Sequence, residues 1–133
     1  MRNLLVVTAV LEALTGIALI ASPGVPVSLL VGATLDAPGG LVVARVAGAA
    51  LLALGVACWL ARDDGRSRAG RGLVAGLLLY NVGALATLGY ACLSLKMSGI
   101  AFWPAVIAHC ALAFWCTMCL RDQGRLDNPA KVL

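Results

Sequence analysis

The stretch LLVVTAVLEALTGIALIA, residues 4–21, decides the fold class of this chain. Glu12 is its one charged residue, and apart from two threonines and a glycine its other side chains are apolar. A helix needs about 20 such residues to cross roughly 30 Å of hydrocarbon, and a helix satisfies its own backbone hydrogen bonds in lipid. Because Glu12 interrupts the apolar core and no small-residue cleavage site precedes Ser22, a cleaved signal peptide fits poorly. The stretch predicts a retained membrane-spanning helix.

Three more segments share this apolar character. The predicted helices cover about residues 4–21, 40–61, 72–95 and 100–120. The chain is 62% hydrophobic and 12% charged, with a mean hydropathy of +0.98, whereas soluble proteins are about 45–50% apolar and roughly 25% charged. The sequence therefore predicts an all-α integral membrane protein, a single four-helix transmembrane domain over residues 1–133. Nucleic-acid binding, a disulfide scaffold and disorder all fit this composition poorly.

The basic residues predict an orientation. The chain has 10 lysines and arginines against 6 acidic residues, and the basic residues gather at the N-terminus, in residues 62–71 and in the tail after residue 120. Four spans bring these regions to one side, and the positive-inside rule then places both termini in the cytoplasm. We expect a multi-pass protein of the bacterial inner membrane. In the long first connection, residues 25–32 (VPVSLLVG) favour a short interfacial helix.

Small residues recur at helical spacing. The pairs are Ala44 with Gly48, Gly72 with Gly76 in a GxxxG motif, and Gly83 with Thr87. Such positions let helix backbones approach closely in lipid. The spacing predicts tight packing within the bundle, with a homo-oligomer surface as the alternative.

Four polar side chains inside the spans are the candidate functional residues: Glu12, Arg45, Asn81 and His109. A charge at the bilayer centre costs about 2.5–3.5 kcal/mol, so these residues should face the bundle interior. We expect Glu12, Asn81 and His109 to form one cluster near the midplane, with Arg45 above it and nearer to water.

Three interpretations of the cluster remain open. It is structural, with Glu12 neutral or paired to Arg45; or it binds the head group of a lipid or quinone; or Glu12 and His109 titrate and couple proton movement to transport. Histidine titrates near neutral pH, which suits the third.

The cysteines carry a weaker alternative. Cys116 and Cys119 form a CxxC motif, and Cys58 lies at a similar predicted depth, so the three are weak candidates for a soft metal ion. Buried packing is the favoured role, and we predict no metal site. The sequence does not identify a cofactor. It shows no nucleophile triad, phosphate loop or paired catalytic carboxylates, which favours a non-enzymatic role.

Residues 44–48 (ARVAG) followed by residues 51–55 (LLALG) resemble the DoxX-like group of small bacterial four-helix membrane proteins. Arg45 and Gly48 are the positions that correspond. Some members of that group are linked to quinone-coupled sulfur oxidation. The expected function is thus an accessory subunit of a larger membrane complex, or a protein that binds a hydrophobic ligand, lipid or quinone. The alternative is a proton-coupled small-molecule transporter acting as an oligomer, and the third is a quinone-linked redox enzyme.

Overall fold

The computed structural model describes residues 1–126, which form five α-helices and no strand. They are α1 (Arg2–Ala21), α2 (Gly24–Val31), α3 (Pro38–Ala61), α4 (Arg68–Leu93) and α5 (Phe102–Leu126). Four of them, all except α2, are long and apolar enough to cross a membrane. This confirms the predicted four long helices and the short helix in the first connection. The end of the predicted basic tail, residues 127–133, lies outside the described residues.

Local sequence signals, a capping serine for α4 and a proline for α3, mark where these helices begin. Ser67 precedes α4, and its side chain accepts a 2.9 Å hydrogen bond from the backbone N–H of Gly70. This N-cap satisfies one of the free donors of the first turn, so α4 begins at Arg68 rather than near residue 72. Pro38 occupies the first turn of α3, where its missing N–H is harmless.

The long helices are arranged as two pairs, α1 with α3 and α4 with α5, and each pair packs extensively. Glycines bring α1 and α3 together. A Cβ on Gly16 would lie 2.6 Å from the Gly48 carbonyl oxygen, and one on Gly55 would lie 2.9 Å from the Ala9 carbonyl oxygen. Ala44 is also buried. The predicted packing role of Ala44 and Gly48 is therefore confirmed.

The other small-residue pairs do not pack within the described chain. Gly72, Gly76 and Gly83 are exposed, and a Cβ on each would meet nothing within 4 Å. The prediction of tight packing within the bundle is wrong for these positions. The reason is physical: the spacing permits close approach, but it does not provide a partner helix on that face.

The two pairs join at one end and diverge toward the other. A buried apolar core joins all four long helices near the start of α1; it comprises Leu4, Leu5, Ala9, Cys58, Val74, Leu77, Leu112, Cys116 and Cys119. We call this the basic end, because it holds Arg2 and the arginine-rich connection between α3 and α4. Arg2 forms a 2.9 Å ion pair there with Asp63. At the opposite end, α2 binds the segment before α5. The Gly99 N–H donates to the Leu30 carbonyl at 2.9 Å, and the Ala101 N–H donates to the Leu29 carbonyl at 2.8 Å.

Candidate functional site

A cavity of about 920 Å³ lies where the two helix pairs diverge. All five helices contribute to its wall, and most of the lining side chains are apolar. Small residues on α4 and α5, such as Ala84 and Ala105, leave the space open, and α2 covers the end away from the basic end with Val27 and Leu30. Its volume lies within the range of about 300–1,000 Å³ typical of sites for small ligands.

Glu12 lies in the cavity wall and is only 5% exposed. The Tyr80 hydroxyl donates a hydrogen bond to its Oε2 atom across 3.4 Å. Its Oε1 atom makes no hydrogen bond with any other group in residues 1–126. A buried polar atom without a partner is costly, so half of this carboxyl group remains for a ligand.

Asn81 determines the orientation of the His109 ring. The Asn81 Nδ2 atom donates to the Leu77 carbonyl at 2.8 Å, so its Oδ1 atom accepts from His109 Nδ1, also at 2.8 Å. The imidazole therefore carries its hydrogen on Nδ1. Because His109 lines the cavity, Nε2 is the ring nitrogen that remains for a ligand.

Tyr80 connects the two halves of the site. Its ring meets the His109 ring edge-on, with centroids 5.8 Å apart and an interplanar angle of 73°. The structure thus brings Glu12, Asn81 and His109 into one cluster, as the sequence predicted, with Tyr80 between them. Sequence reasoning missed Tyr80. The available signal was its position next to Asn81, in the interior of a span rather than at its end.

Arg45 does not belong to this cluster. Its side chain is exposed, and its Nε atom donates to the Ile20 carbonyl at 3.4 Å. The ion pair between Glu12 and Arg45, which the structural interpretation gave as an alternative to a neutral Glu12, is not formed. Arg45 lies near the start of α3, beside the end of α1. The backbone carbonyls there are closer to Arg45 than the Glu12 carboxylate is.

The three cysteines of the weak metal hypothesis share the apolar core at the basic end. Cys58 and Cys116 are fully buried there, Cys119 is 8% exposed, and all three are free thiols. Within residues 1–126, no group of three histidine, cysteine or acidic side chains has a geometry that could hold a metal ion. These cysteines pack as small apolar residues.

No family model, curated protein or solved structure matches this chain. A function must therefore be inferred from the chemistry of the cavity.

Proposed function

We propose that this chain is a multi-pass protein of the bacterial inner membrane, with four spans and both termini in the cytoplasm. The outward faces of the long helices support insertion, because large apolar side chains such as Leu14, Val43 and Leu79 are 63%, 69% and 74% exposed. The basic end supports the orientation. It holds Arg2 and the arginine-rich connection between α3 and α4, whereas the α2 end holds Lys96 and Asp36 in its connections.

We further propose that the protein binds a small amphipathic ligand between its two helix pairs. The observation that carries this proposal is the buried Glu12, which lines a large apolar cavity and has one carboxyl oxygen that pairs with no group in residues 1–126. A purely structural cluster would satisfy that oxygen with a protein group. Tyr80 and His109 lie at the same end of the cavity, so a polar head group would meet all three side chains.

The two positions that correspond to the DoxX-like pattern, Arg45 and Gly48, contact α1 and do not line the cavity. Gly48 packs against α1, and Arg45 hydrogen-bonds the α1 backbone. We propose that the chain shares the helical scaffold of that group. An accessory role in a larger membrane complex is compatible with ligand binding.

Native mass spectrometry of the gently solubilised protein tests ligand binding. We expect a discrete bound mass on the wild type. Ala84→Phe places a phenyl ring in the cavity and should remove the adduct, whereas Ala86→Phe, on the exposed face of the same helix, should retain it. A wild type without any adduct, or an adduct that persists in Ala84→Phe, would contradict the proposal.

Proton-coupled transport is the second candidate, and one observation favours it. Glu12 is the only carboxyl group among the described residues that line the cavity, so protonation and ligand binding would compete for one group. Uptake of the bound ligand into proteoliposomes, driven by a pH gradient and abolished by Glu12→Gln, would support transport. Ligand binding without such uptake would favour a binding protein over a transporter.

A further inference from the structure

Hydrogen-bond acceptors dominate the polar end of the cavity. Tyr80 donates its hydroxyl hydrogen to Glu12, so its oxygen lone pairs are what it offers to a ligand. His109 donates Nδ1–H to Asn81 and therefore presents Nε2 as an acceptor. The unpaired Oε1 atom of Glu12 is the third acceptor.

Few donors and no side-chain cation balance these acceptors. The described lining residues include no lysine or arginine. The Thr87 hydroxyl is occupied, because it donates to the Gly83 carbonyl at 2.9 Å. Thr15, one turn from Glu12 on α1, adds one more hydroxyl group. An ionised Glu12 would therefore leave an unbalanced negative charge in an apolar cavity.

We infer that the ligand is a lipophilic amine, bound as its ammonium ion at Glu12, Tyr80 and His109. This inference rests on the proposed ligand-binding function. An ammonium group carries three N–H donors for the three acceptors, and its charge balances the carboxylate. Hydrogen bonds to charged groups are about twice as strong as neutral ones, and the Tyr80 ring adds a surface that attracts cations.

The amine can bind as an ammonium ion or as a neutral molecule, because both routes end in the same ion pair. An ammonium ion pairs directly with the Glu12 carboxylate. A neutral amine that meets a protonated Glu12 takes the carboxyl proton: the O–H bond breaks, the nitrogen lone pair forms the new N–H bond, and the same ion pair results. A quinone or a carboxylate offers only oxygen acceptors to an ionised Glu12, and acceptors facing acceptors leave lone pairs without partners.

The apolar body of the amine would extend from Glu12 toward α2. On α1 the cavity runs from Leu11 to Leu19, which is roughly 12 Å at about 1.5 Å per residue. Leu30 and Ala101 close that end. A ring with a short alkyl chain has the required length and apolar character.

Three probes with one phenylbutyl body test the inference: 4-phenylbutylamine, 4-phenylbutanol and 4-phenylbutyric acid. Their binding to the full chain in nanodiscs is measured by calorimetry, with empty nanodiscs subtracted. We expect the amine to bind at least about tenfold more tightly than the alcohol, since about 1.4 kcal/mol corresponds to tenfold in affinity. The acid should bind most weakly.

Two variants connect this preference to Glu12. Glu12→Gln should reduce the ratio of amine to alcohol affinity to about one, and the outward-facing Ala86→Phe should keep the wild-type ratio. Equal binding of all probes, tighter binding of the acid, or a preference that persists in Glu12→Gln would overturn the inference and leave ligand binding intact. Failure of every probe to bind above empty nanodiscs would overturn both.

Discussion

The Oδ1 atom of Asn81 lies 2.8 Å from the Nδ1 atom of His109, and this hydrogen bond joins α4 to α5 beside the cavity. Asn81 is 1% exposed, and its Nδ2 atom is held by the Leu77 carbonyl. The amide therefore cannot turn to offer a donor to the ring without losing its hydrogen bond to the Leu77 carbonyl. One side chain thus determines both the orientation of His109 and the nitrogen that faces a ligand.

This pair should show strong coupling in a double-mutant cycle. Asn81→Leu leaves the half-buried His109 N–H without its partner, and His109→Leu leaves the buried Asn81 oxygen without its partner. Each change should lower the free energy of unfolding by about 1–3 kcal/mol, whereas replacing both partners should cost less than the sum of the two. Equilibrium unfolding of the detergent-solubilised variants measures this. Additive effects would show that the hydrogen bond contributes little.

Close packing of α1 on α3 should tolerate no side chain at Gly16. A Cβ there would lie 2.6 Å from the Gly48 carbonyl oxygen and 2.7 Å from the Leu52 nitrogen, both backbone atoms. Gly16→Ala should lower the free energy of unfolding by about 1–3 kcal/mol, as overpacking does. Thermal unfolding in detergent reads out the change.

Gly76→Ala is the matched control for Gly16→Ala. Gly76 lies within α4, and a Cβ there meets open space. Alanine favours a helix over glycine by about 0.5–1 kcal/mol, so this variant should be as stable as the wild type or slightly more stable. Destabilisation by Gly76→Ala would instead indicate that a second chain covers the GxxxG face.

The long helices could be predicted because hydropathy and length decide them directly. Glu12, Asn81 and His109 could be predicted as a cluster because isolated polar residues in apolar spans seek one another. The sequence placed Arg45 above this cluster and nearer to water, but it did not predict which group Arg45 binds. Its depth along α3 was visible, but the Ile20 carbonyl that it binds is a tertiary contact.

Divergence of the helix pairs was also beyond the sequence. The GxxxG motif at Gly72 and Gly76 favours packing on grounds of residue size, yet the pairing of α4 with α5 leaves that face uncovered. Tyr80 lines the cavity that this divergence opens. Which of four similar helices pair depends on many small contacts. The spacing of small residues alone does not show which pairing is the most stable.

Membrane orientation can be tested with thiol labelling. In a chain whose native cysteines are replaced by alanine, Arg66→Cys lies in the connection at the basic end and Ser98→Cys lies in the connection at the α2 end. A membrane-impermeant maleimide added to intact cells should label Ser98→Cys and should label Arg66→Cys only after the cells are opened. The reverse pattern would place both termini outside.

Contact between α2 and the segment before α5 should require glycine at two positions. Gly32 has a φ of +73°, which disfavours other residues, and a Cβ on it would lie 2.9 Å from the Ser98 carbonyl oxygen. A Cβ on Gly99 would overlap the Leu29 carbonyl oxygen. Gly99→Ala should therefore separate α2 from this segment and break the hydrogen bonds donated by Gly99 and Ala101.

Hydrogen–deuterium exchange measures that separation. Amides 99 and 101 should exchange at least about tenfold faster in Gly99→Ala, because loss of about 1.4 kcal/mol of local stability accelerates exchange by that factor. Gly24→Ala, at the other end of α2 and in open space, should exchange at the wild-type rate. Because α2 covers the end of the cavity away from the basic end, the dissociation rate of bound 4-phenylbutylamine should also be higher in Gly99→Ala. Faster amide exchange with an unchanged release rate would mean that the ligand leaves between the helix pairs rather than past α2.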